Sequence, residues 1–354
     1  FLQSHVPDND AYIVSQLQAK GALILGKVNL SEWAYYFCDG CPLGYSAVGG
    51  QTLNPYGRKV FESGGSSSGS GVAVAANYAV AAVGSETSGS ILSPSGHNSV
   101  VGCKPTIGLV SRTGIVPISS TLDTAGPMTK NVIDNAILLD AMEGKDASDP
   151  STSKAPDEIG DYIVASQNRS ISSFRLGAIK SLVQTDSLYR KAINTLRSNG
   201  ATVVEFDPPK IEFKGFLSLL NKEMKNDLSN YFSTQSNQNF SDDNVQSVVA
   251  FNQQDSILRM PYGQGRLMSV IEEDITDDEL QTVIDKLYKA GVSFFRGPMM
   301  TYNLDALMTI NNYHAAHAAV AFYPCLTVPM GYTNQGEPKN LTFVAESFTE
   351  PKLY

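Results

Sequence analysis

Serine and glycine dominate the segment of this chain in which chemistry is easiest to place. Residues 64–71 read GGSSSGSG, residues 84–91 read GSETSGSI, and residues 102–106 read GCKPT. Glycine lets backbone N–H groups approach a ligand closely, and the small side chains leave room for it. No Gly-Lys-Ser/Thr follows, so the pattern lacks the lysine of a phosphate-binding P-loop. A flexible linker is disfavoured, because an apolar helix and a strand follow directly.

These segments resemble the amidase signature family, serine hydrolases that cleave carboxamides with a Ser–Ser–Lys triad. The family's GGSS loop matches residues 64–67, and its GGSI turn matches residues 88–91 with one serine in place of glycine. Three further motifs fit: GKVNLSE (26–32), DTAGPM (123–128) and YPCLTVPMG (323–331). The likeness is strong over residues 7–150, fair over 300–354 and weak between them.

The resemblance implies a role for each matched residue. Ser90 would attack the amide carbonyl, and Ser66, after a cis peptide bond to Gly65, would pass the proton of Ser90 to a neutral lysine. The implied oxyanion hole consists of the backbone N–H groups of Thr87, Ser88, Gly89 and Ser90. The residues assigned to substrate binding are Gly64, Gly65, Ser67 and Gln264. Glu86 is expected to brace the turn, and Asp123 to pack or cap.

The catalytic lysine is missing from the expected place. In the family it precedes the helix that here should begin at Asp8, and no lysine of this chain occupies that position. We therefore expect the sequence to lack its N-terminal part with the catalytic lysine, and a C-terminal helix that would begin at Glu350. A protein truly without this lysine would be a catalytically inactive, amidase-like binding protein.

Two departures from the family pattern concern the substrate. Leu92 stands where many members have an arginine, and leucine cannot pair with a substrate carboxylate as arginine does. This disfavours free amino-acid amides and charged-tRNA substrates. MPYGQ at residues 260–264 resembles a segment of peptide-amidase-like members. Peptide amides or aryl and alkyl amides are therefore the expected substrates, with ammonia or an amine released.

A rival interpretation is an α/β-hydrolase with a Ser–His–Asp triad. Residues 65–69 formally satisfy Gly-x-Ser-x-Gly with Ser67 as nucleophile, and His314 or His317 lies downstream in suitable order. The segment at 84–106 has no role in this interpretation. His97 cannot serve Ser90, because two helical turns separate them by about 10 Å.

Cysteine and histidine are sparse, with four of each. Cys38 and Cys41 have the spacing of a redox pair or half a zinc site, but a second pair is missing, so ordinary thiols are favoured. His314 and His317 could share a helix face and hold a metal, but no third ligand is near. We expect no metal and no organic cofactor.

The amino-acid composition limits the kinds of molecule that this protein is expected to bind. The 354 residues carry 26 Lys and Arg against 35 Asp and Glu, a net charge of −9, which disfavours nucleic acid as a partner. No signal peptide and no transmembrane segment are visible. A small-molecule or peptide amide remains as the expected partner, while compartment and oligomeric state stay open.

Strand and helix patterns alternate along the chain, which predicts a single α/β domain over residues 1–354. The resemblance makes this an amidase signature fold, an α/β/α sandwich around a large mixed β-sheet. We expect a buried strand at residues 22–25, a surface excursion at 144–160, and a variable helical, substrate-side region at 207–300. Thr276 and Glu279 have the spacing of a helix capping box.

Overall fold

A mixed eight-stranded sheet runs through the centre of the computed structural model, which describes residues 1–2, 5–167, 170–235, 240 and 242–354. The strands are β1 (Tyr45–Ser46), β2 (Gly50–Gln51), β3 (Ala81–Glu86), β4 (Val101–Lys104), β5 (Thr124–Thr129), β6 (Arg175–Ile179), β7 (Thr202–Phe206), β8 (Ala306–Ile310), β9 (Cys325–Tyr332) and β10 (Pro338–Val344). Their order in the large sheet is β3-β5-β4-β9-β10-β8-β6-β7. β6 pairs in parallel with β7 and β8, and the other pairs are antiparallel.

Helices cover both faces of this sheet. They are α1 (Tyr12–Ala19), α2 (Ser68–Ala75), α3 (Leu92–His97), α4 (Val132–Met142), α5 (Tyr162–Gln167), α6 (Lys180–Thr185), α7 (Ser187–Ser198), α8 (Phe216–Gln235), α9 (Val245–Gln253), α10 (Ser256–Arg259), α11 (Gly265–Glu272), α12 (Asp277–Tyr302) and α13 (Ala315–Ala321).

Contacts from neighbouring residues of a strand show which helices cover each face of the sheet. In β8, Met308 packs with Tyr189 and Ile193 of α7, whereas the adjacent Leu307 packs with Phe294 of α12 on the other face. Successive strand residues point to opposite faces, so one strand contributes to two cores. The predicted α/β/α sandwich around a mixed sheet is confirmed.

One local prediction is confirmed and two are wrong. The capping box of α12 is present, with Glu279 N–H donating to Thr276 Oγ1 over 3.2 Å and Thr276 N–H donating to Glu279 Oε2 over 2.8 Å. The strand predicted at residues 22–25 is absent, and Leu23 is 87% exposed, because no described strand runs beside this segment. Asp8 is not an N-cap, since α1 begins at Tyr12 after Ala11.

The two predicted subregions have different characters. Residues 144–160 run mainly along the surface, although Asp149 and Thr152 are buried. Within 207–300, the described residues are mostly helical and include α8 to α12. Among the helices that the structure describes, none is both long and apolar enough to cross a membrane.

Candidate active site

Ser66 lies in the loop that leads into α2, and its side chain is buried. The peptide bond between Gly65 and Ser66 is cis, as the resemblance implies. The Ser31 N–H donates to the Ser66 carbonyl oxygen over 3.0 Å, which fixes the backbone. Ser66 is only 1% exposed, and no described residue provides a hydrogen-bond partner for its Oγ. Buried polar atoms are normally paired, so the Ser66 hydroxyl is unusual in leaving its hydrogen-bonding capacity unused.

Close packing explains why glycine recurs around Ser66. Gly64 has φ +65°, and a Cβ on it would lie 2.8 Å from the backbone of Pro94. A Cβ on Gly69 would lie 2.2 Å from the carbonyl oxygen of Asn29. No real Cβ tolerates such distances from backbone atoms, so the glycines allow three chain segments to meet here.

Ser90 lies in the turn between β3 and α3, directly beside the Ser66 loop. The Ser67 N–H donates to the Ser90 carbonyl oxygen over 3.1 Å, so the structure brings the backbones of the two predicted catalytic serines together. The hydroxyls of Ser90 and Ser66 do not hydrogen-bond to each other, because Ser66 Oγ has no partner in the described chain. Gly89 has φ +90°, a conformation that favours glycine.

The buried carboxylate of Glu86 stabilises the turn that carries Ser90. Glu86 Oε2 accepts the N–H groups of Ile91 and Leu92 over 2.7 and 3.0 Å. Burial raises the pKa of Glu86, and the nearby ammonium of Lys104 opposes that shift. Lys104 is itself fully buried and donates to the Pro105 carbonyl oxygen. The predicted bracing role of Glu86 is confirmed, and the interactions of Lys104 are structural.

The turn presents free backbone donors. The N–H groups of Thr87, Ser88 and Ser90 have no hydrogen-bond partner among the residues that the structure describes. The Gly89 N–H differs, because it is directed at the Glu86 carboxylate and partly offsets the rise that burial causes in the pKa of Glu86. Free N–H groups converging on one turn can stabilise negative charge that develops on an oxygen.

Asp123 fixes the side chain at the start of this turn. Thr87 Oγ1 donates to Asp123 Oδ1, and the N–H groups of Ile118 and Ser119 both donate to Asp123 Oδ2 over 2.8 Å. Burial raises the pKa of Asp123 to about 6, although these three donors oppose the shift. The capping role expected of Asp123 is therefore seen, with Thr87 as an additional partner.

Helix α8 holds the loop that carries Asp123. Glu223 accepts hydrogen bonds from the hydroxyls of Ser119 and Thr121, and Asp227 Oδ2 accepts the Ser120 N–H over 2.7 Å. Burial raises the pKa of both carboxyl groups. These α8 carboxylates were missed from the sequence, because they belong to no motif and lie about a hundred residues away from the loop that they bind.

A cavity of about 390 Å³ opens beside the same loop. Asp123 and Asp227 line it together with Arg112 and Asp149. Arg112 Nη2 lies 2.6 Å from Asp149 Oδ1, and this pairing holds the pKa of Asp149 well below its usual value. Arg112 and Asp149 are thus paired with each other, whereas Asp123 and Asp227 accept hydrogen bonds from uncharged donors.

Gln264, predicted to contact substrate, is engaged within the protein. Its Oε1 accepts from Asn252 Nδ2 over 3.0 Å, and its Nε2 donates to the Val249 carbonyl oxygen over 3.4 Å. The residue is 6% exposed. Nearby, the rings of Tyr262 and Tyr45 meet edge to face at 5.0 Å. The segment at 260–264, between α10 and α11, is therefore bonded to α9 and packs on β1, which contains Tyr45.

The residues of the rival Ser–His–Asp interpretation do not form a reactive group. Ser67 Oγ donates to the Ser85 carbonyl oxygen over 2.9 Å and accepts the Ser85 N–H over 3.0 Å. His314 Nδ1 lies 3.0 Å from Thr309 Oγ1. His317 packs against the ring of Phe294 at 4.2 Å, and burial lowers its pKa to about 4. These histidines are packing residues of the interior.

The structure also shows the surroundings of the two cysteines, of Leu92 and of the possible metal ligands. Cys38 and Cys41 form a disulfide, with Cα atoms 5.7 Å apart, so the expectation of ordinary thiols is wrong. Their tight turn brings the two side chains together, which spacing alone did not decide. Leu92 is 1% exposed and packs in an apolar cluster. Within the described ranges, no group of three His, Cys, Asp or Glu side chains has a metal-binding arrangement.

The chain belongs to the amidase family, whose model matches residues 1–354. A probable amidase of Arabidopsis thaliana is 34% identical over 363 residues, covering 99% of this chain and 70% of that protein. Amidases are hydrolases that act on amide C–N bonds, and this chain is one of them. The α/β-hydrolase interpretation is accordingly wrong.

Two solved structures have the same fold as this chain. An amidase family protein from Bacillus anthracis str. Ames superposes with a TM-score of 0.93 at 40% identity, covering 98% of this chain and 69% of that chain. The peptide amidase from Stenotrophomonas maltophilia superposes with a TM-score of 0.87 at 36% identity, covering 98% and 74%. The chain spans 43% to 70% of the length of the first curated relatives that it matches.

Proposed function

We propose that this protein hydrolyses a carboxamide to a carboxylic acid and ammonia or an amine, through an acyl-enzyme on Ser90. The observation that carries the proposal is the pairing of two features. Ser66 has a buried hydroxyl without a partner, and it lies beside a turn whose N–H groups at Thr87, Ser88 and Ser90 are free.

In the proposed mechanism, the Ser90 hydroxyl attacks the carbonyl carbon and gives its proton to Ser66 Oγ. Ser66 in turn gives its own proton to a neutral lysine. Negative charge collects on the former carbonyl oxygen, which would accept hydrogen bonds from the free N–H groups. The lysine returns a proton to the leaving nitrogen, the C–N bond breaks, and water then releases the acid from Ser90.

The lysine of this relay is also part of the proposal. Lys104 is bound to the Pro105 carbonyl oxygen beside Glu86, and no described lysine contacts Ser66. We assign the proton acceptor to a lysine outside residues 1–354, in the place that the family resemblance gives it. The unpaired Ser66 Oγ is the atom on which its Nζ would act.

Peptide amides are the substrate class that we favour, with aryl and alkyl amides second. Leu92 is buried in the core, so its position offers no guanidinium to a substrate carboxylate. The similarity to a peptide amidase supports the same class. The net charge of −9 disfavours a nucleic-acid partner. Gly64, Gly65 and Ser67 would form the backbone wall of the site, whereas the internal bonds of Gln264 favour a structural role.

The decisive experiment is labelling of the full protein, including its lysine, with a fluorophosphonate, together with assays of ammonia release from a peptide amide. Ser90→Ala should abolish labelling and lower kcat by about 10⁴-fold or more. Ser66→Ala should lower kcat comparably, because the relay loses its middle member. Ser198→Ala, on the surface of α7, is the matched control and should behave as wild type.

Three outcomes would contradict the proposal. Labelling that persists in Ser90→Ala would place the nucleophile elsewhere. Loss of turnover in His314→Ala or His317→Ala, with Ser90→Ala still active, would restore a histidine base. A wild-type protein that neither reacts with the probe nor releases ammonia, yet binds an amide, would be an inactive amidase-like binding protein.

A further inference from the structure

The turn that joins β8 to α13 contacts the turn that carries Ser90. A Cβ built on Gly89 would lie 3.2 Å from Asn312 Nδ2, 3.3 Å from Asn312 Cβ and 3.4 Å from Ala315 Cβ. The Asn312 side chain therefore packs directly over the middle of the turn to which we assign the oxyanion hole. No sequence motif includes Asn312, so sequence analysis alone did not identify it.

The backbone around Asn312 is fixed on both sides. The Asn340 N–H donates to Asn311 Oδ1 over 2.7 Å, and Thr342 Oγ1 donates to the Asn311 carbonyl oxygen over 2.5 Å. The Ala315 N–H donates to the Asn312 carbonyl oxygen over 3.0 Å. Because its neighbours are bonded to the sheet and to α13, the Asn312 side chain projects from a well-supported position.

The carboxamide of Asn312 is nevertheless unused. It makes no hydrogen bond to any residue in the part of the chain that the structure describes, and the residue is half-buried. Asn98, near the same site, uses its amide donor: Asn98 Nδ2 donates to the carbonyl oxygens of Ser63 and Pro94 over 2.8 Å each. Asn312 thus presents both a free donor and a free acceptor beside Gly89.

The chemistry of a carboxamide indicates what it would bind. It carries N–H donors and a carbonyl acceptor but no charge, so it matches a peptide group, which offers one acceptor and one donor. A simple alkyl amide has only its scissile group, which Ser90 and the free N–H groups already engage in the proposed mechanism.

Resting on the proposed amidase function, we infer that Asn312 is a specificity-determining residue. It hydrogen-bonds the peptide group adjacent to the scissile carboxamide and so selects peptide amides over simple amides.

The test compares Asn312→Leu, which keeps the approximate shape and removes both hydrogen bonds, with the full wild-type protein. The two substrates are an N-acetylated dipeptide amide and hexanamide. We expect kcat/KM for the dipeptide amide to fall by about tenfold to a hundredfold, the effect of one or two neutral hydrogen bonds. The value for hexanamide should stay within about twofold, because it lacks the second peptide group. Asn334→Ala, in the exposed turn between β9 and β10, is the control and should change neither value.

Equal losses on both substrates would overturn the inference, because Asn312 would then act only through the shape of the Ser90 turn. No loss on either substrate would overturn it as well. A binding measurement separates this inference from the proposed function. In a Ser90→Ala background, Asn312→Leu should raise the calorimetric Kd of the unreacted dipeptide amide by about the same factor. If the wild type hydrolyses neither amide, the proposed function fails, and an unchanged Kd or absent binding would still refute the role of Asn312.

Discussion

The two sides of the candidate site are built in different ways. One side, which we call the catalytic floor, comprises residues 63–106 and consists of glycines, serines and backbone contacts. The other, the helical cover, comprises the described residues of 216–272. The floor is fixed by atoms that touch backbone, as where a Cβ on Gly69 would lie 2.2 Å from Asn29 O. The cover is attached by side chains, as where Glu223 binds Ser119.

This difference indicates which side can change during evolution. A glycine packed against backbone atoms cannot be replaced by a residue with a side chain. Two side chains in contact can be replaced together by another pair of similar size. We therefore expect the chemistry to reside in the catalytic floor and the substrate preference to vary with the surrounding turns and the helical cover. Three measurements test this comparison.

The largest effect is expected from Gly69→Ala in the catalytic floor. The new methyl would collide with the Asn29 carbonyl oxygen, and neither segment can move, because the Gly69 N–H donates to that same oxygen over 2.8 Å. We expect a loss of about 4 kcal/mol or more in the free energy of unfolding, measured by urea denaturation.

Gly297→Ala is the matched control for this substitution. Gly297 lies in α12, and a Cβ on it would meet no atom within 4 Å, so alanine should stabilise the protein by about 0.5–1 kcal/mol. A Gly69→Ala protein as stable as wild type would show that the floor is more adaptable than its contacts indicate.

A smaller effect is expected where the cover meets the loop of Asp123. Glu223→Ala removes the acceptor of the Ser119 and Thr121 hydroxyls and leaves a buried donor unpaired. We expect destabilisation by about 3 kcal/mol in the same denaturation assay. Glu272→Ala, at an exposed position of α11, should change stability by less than about 0.5 kcal/mol. Equal values for both variants would mean that the cover holds the loop of Asp123 through apolar packing alone.

The smallest effect is a change in the pH dependence of stability at Asp123. Burial raises the pKa of this carboxyl from 3.8 to about 6. The folded protein therefore holds the proton more tightly than the unfolded chain, and its free energy of unfolding should fall as pH rises from about 4 to about 6. Asp123→Asn removes this contribution, so the fall should be smaller by about 1–3 kcal/mol.

Other buried carboxyl groups have pKa shifts of the same sign, so the difference between variant and wild type isolates Asp123. Asp285→Asn, exposed on α12, should leave the pH profile unchanged. Parallel profiles for wild type and Asp123→Asn would show that Asp123 ionises in the folded protein at its ordinary pKa.

The sequence predicted the local contacts of residues 63–106 well and those of the helical cover poorly, for a physical reason. Ser66, Glu86 and Ser90 lie within 25 residues of one another, so their motif spacing already reflects their contacts. The cover binds the loop that carries Asp123 through pairs such as Glu223 and Ser119, which are 104 residues apart. No local pattern records such a contact, because either residue alone is an ordinary surface type.

The wrong expectations have the same origin. Residues 22–25 have the composition of a buried strand, but a strand also needs a neighbour, and composition does not report one. The disulfide of Cys38 and Cys41 depends on how the turn between them folds. Gln264 is a different case: its predicted substrate contact stays a prediction, although Asn252 of α9 donates a hydrogen bond to its side chain. Asn312 had no motif at all.

The position of β10 between β9 and β8 bears on how the protein is made. β4 ends at Lys104, but its hydrogen-bonded neighbour β9 begins only at Cys325, and β10 then joins β9 to β8. During synthesis, the edge of β4 must therefore stay unpaired while more than half of the chain is made, from Lys104 to Cys325. Such long sequence separations slow folding and leave strand edges free to pair wrongly. Nascent chains released before residue 344 should accordingly depend on chaperones to stay out of aggregates.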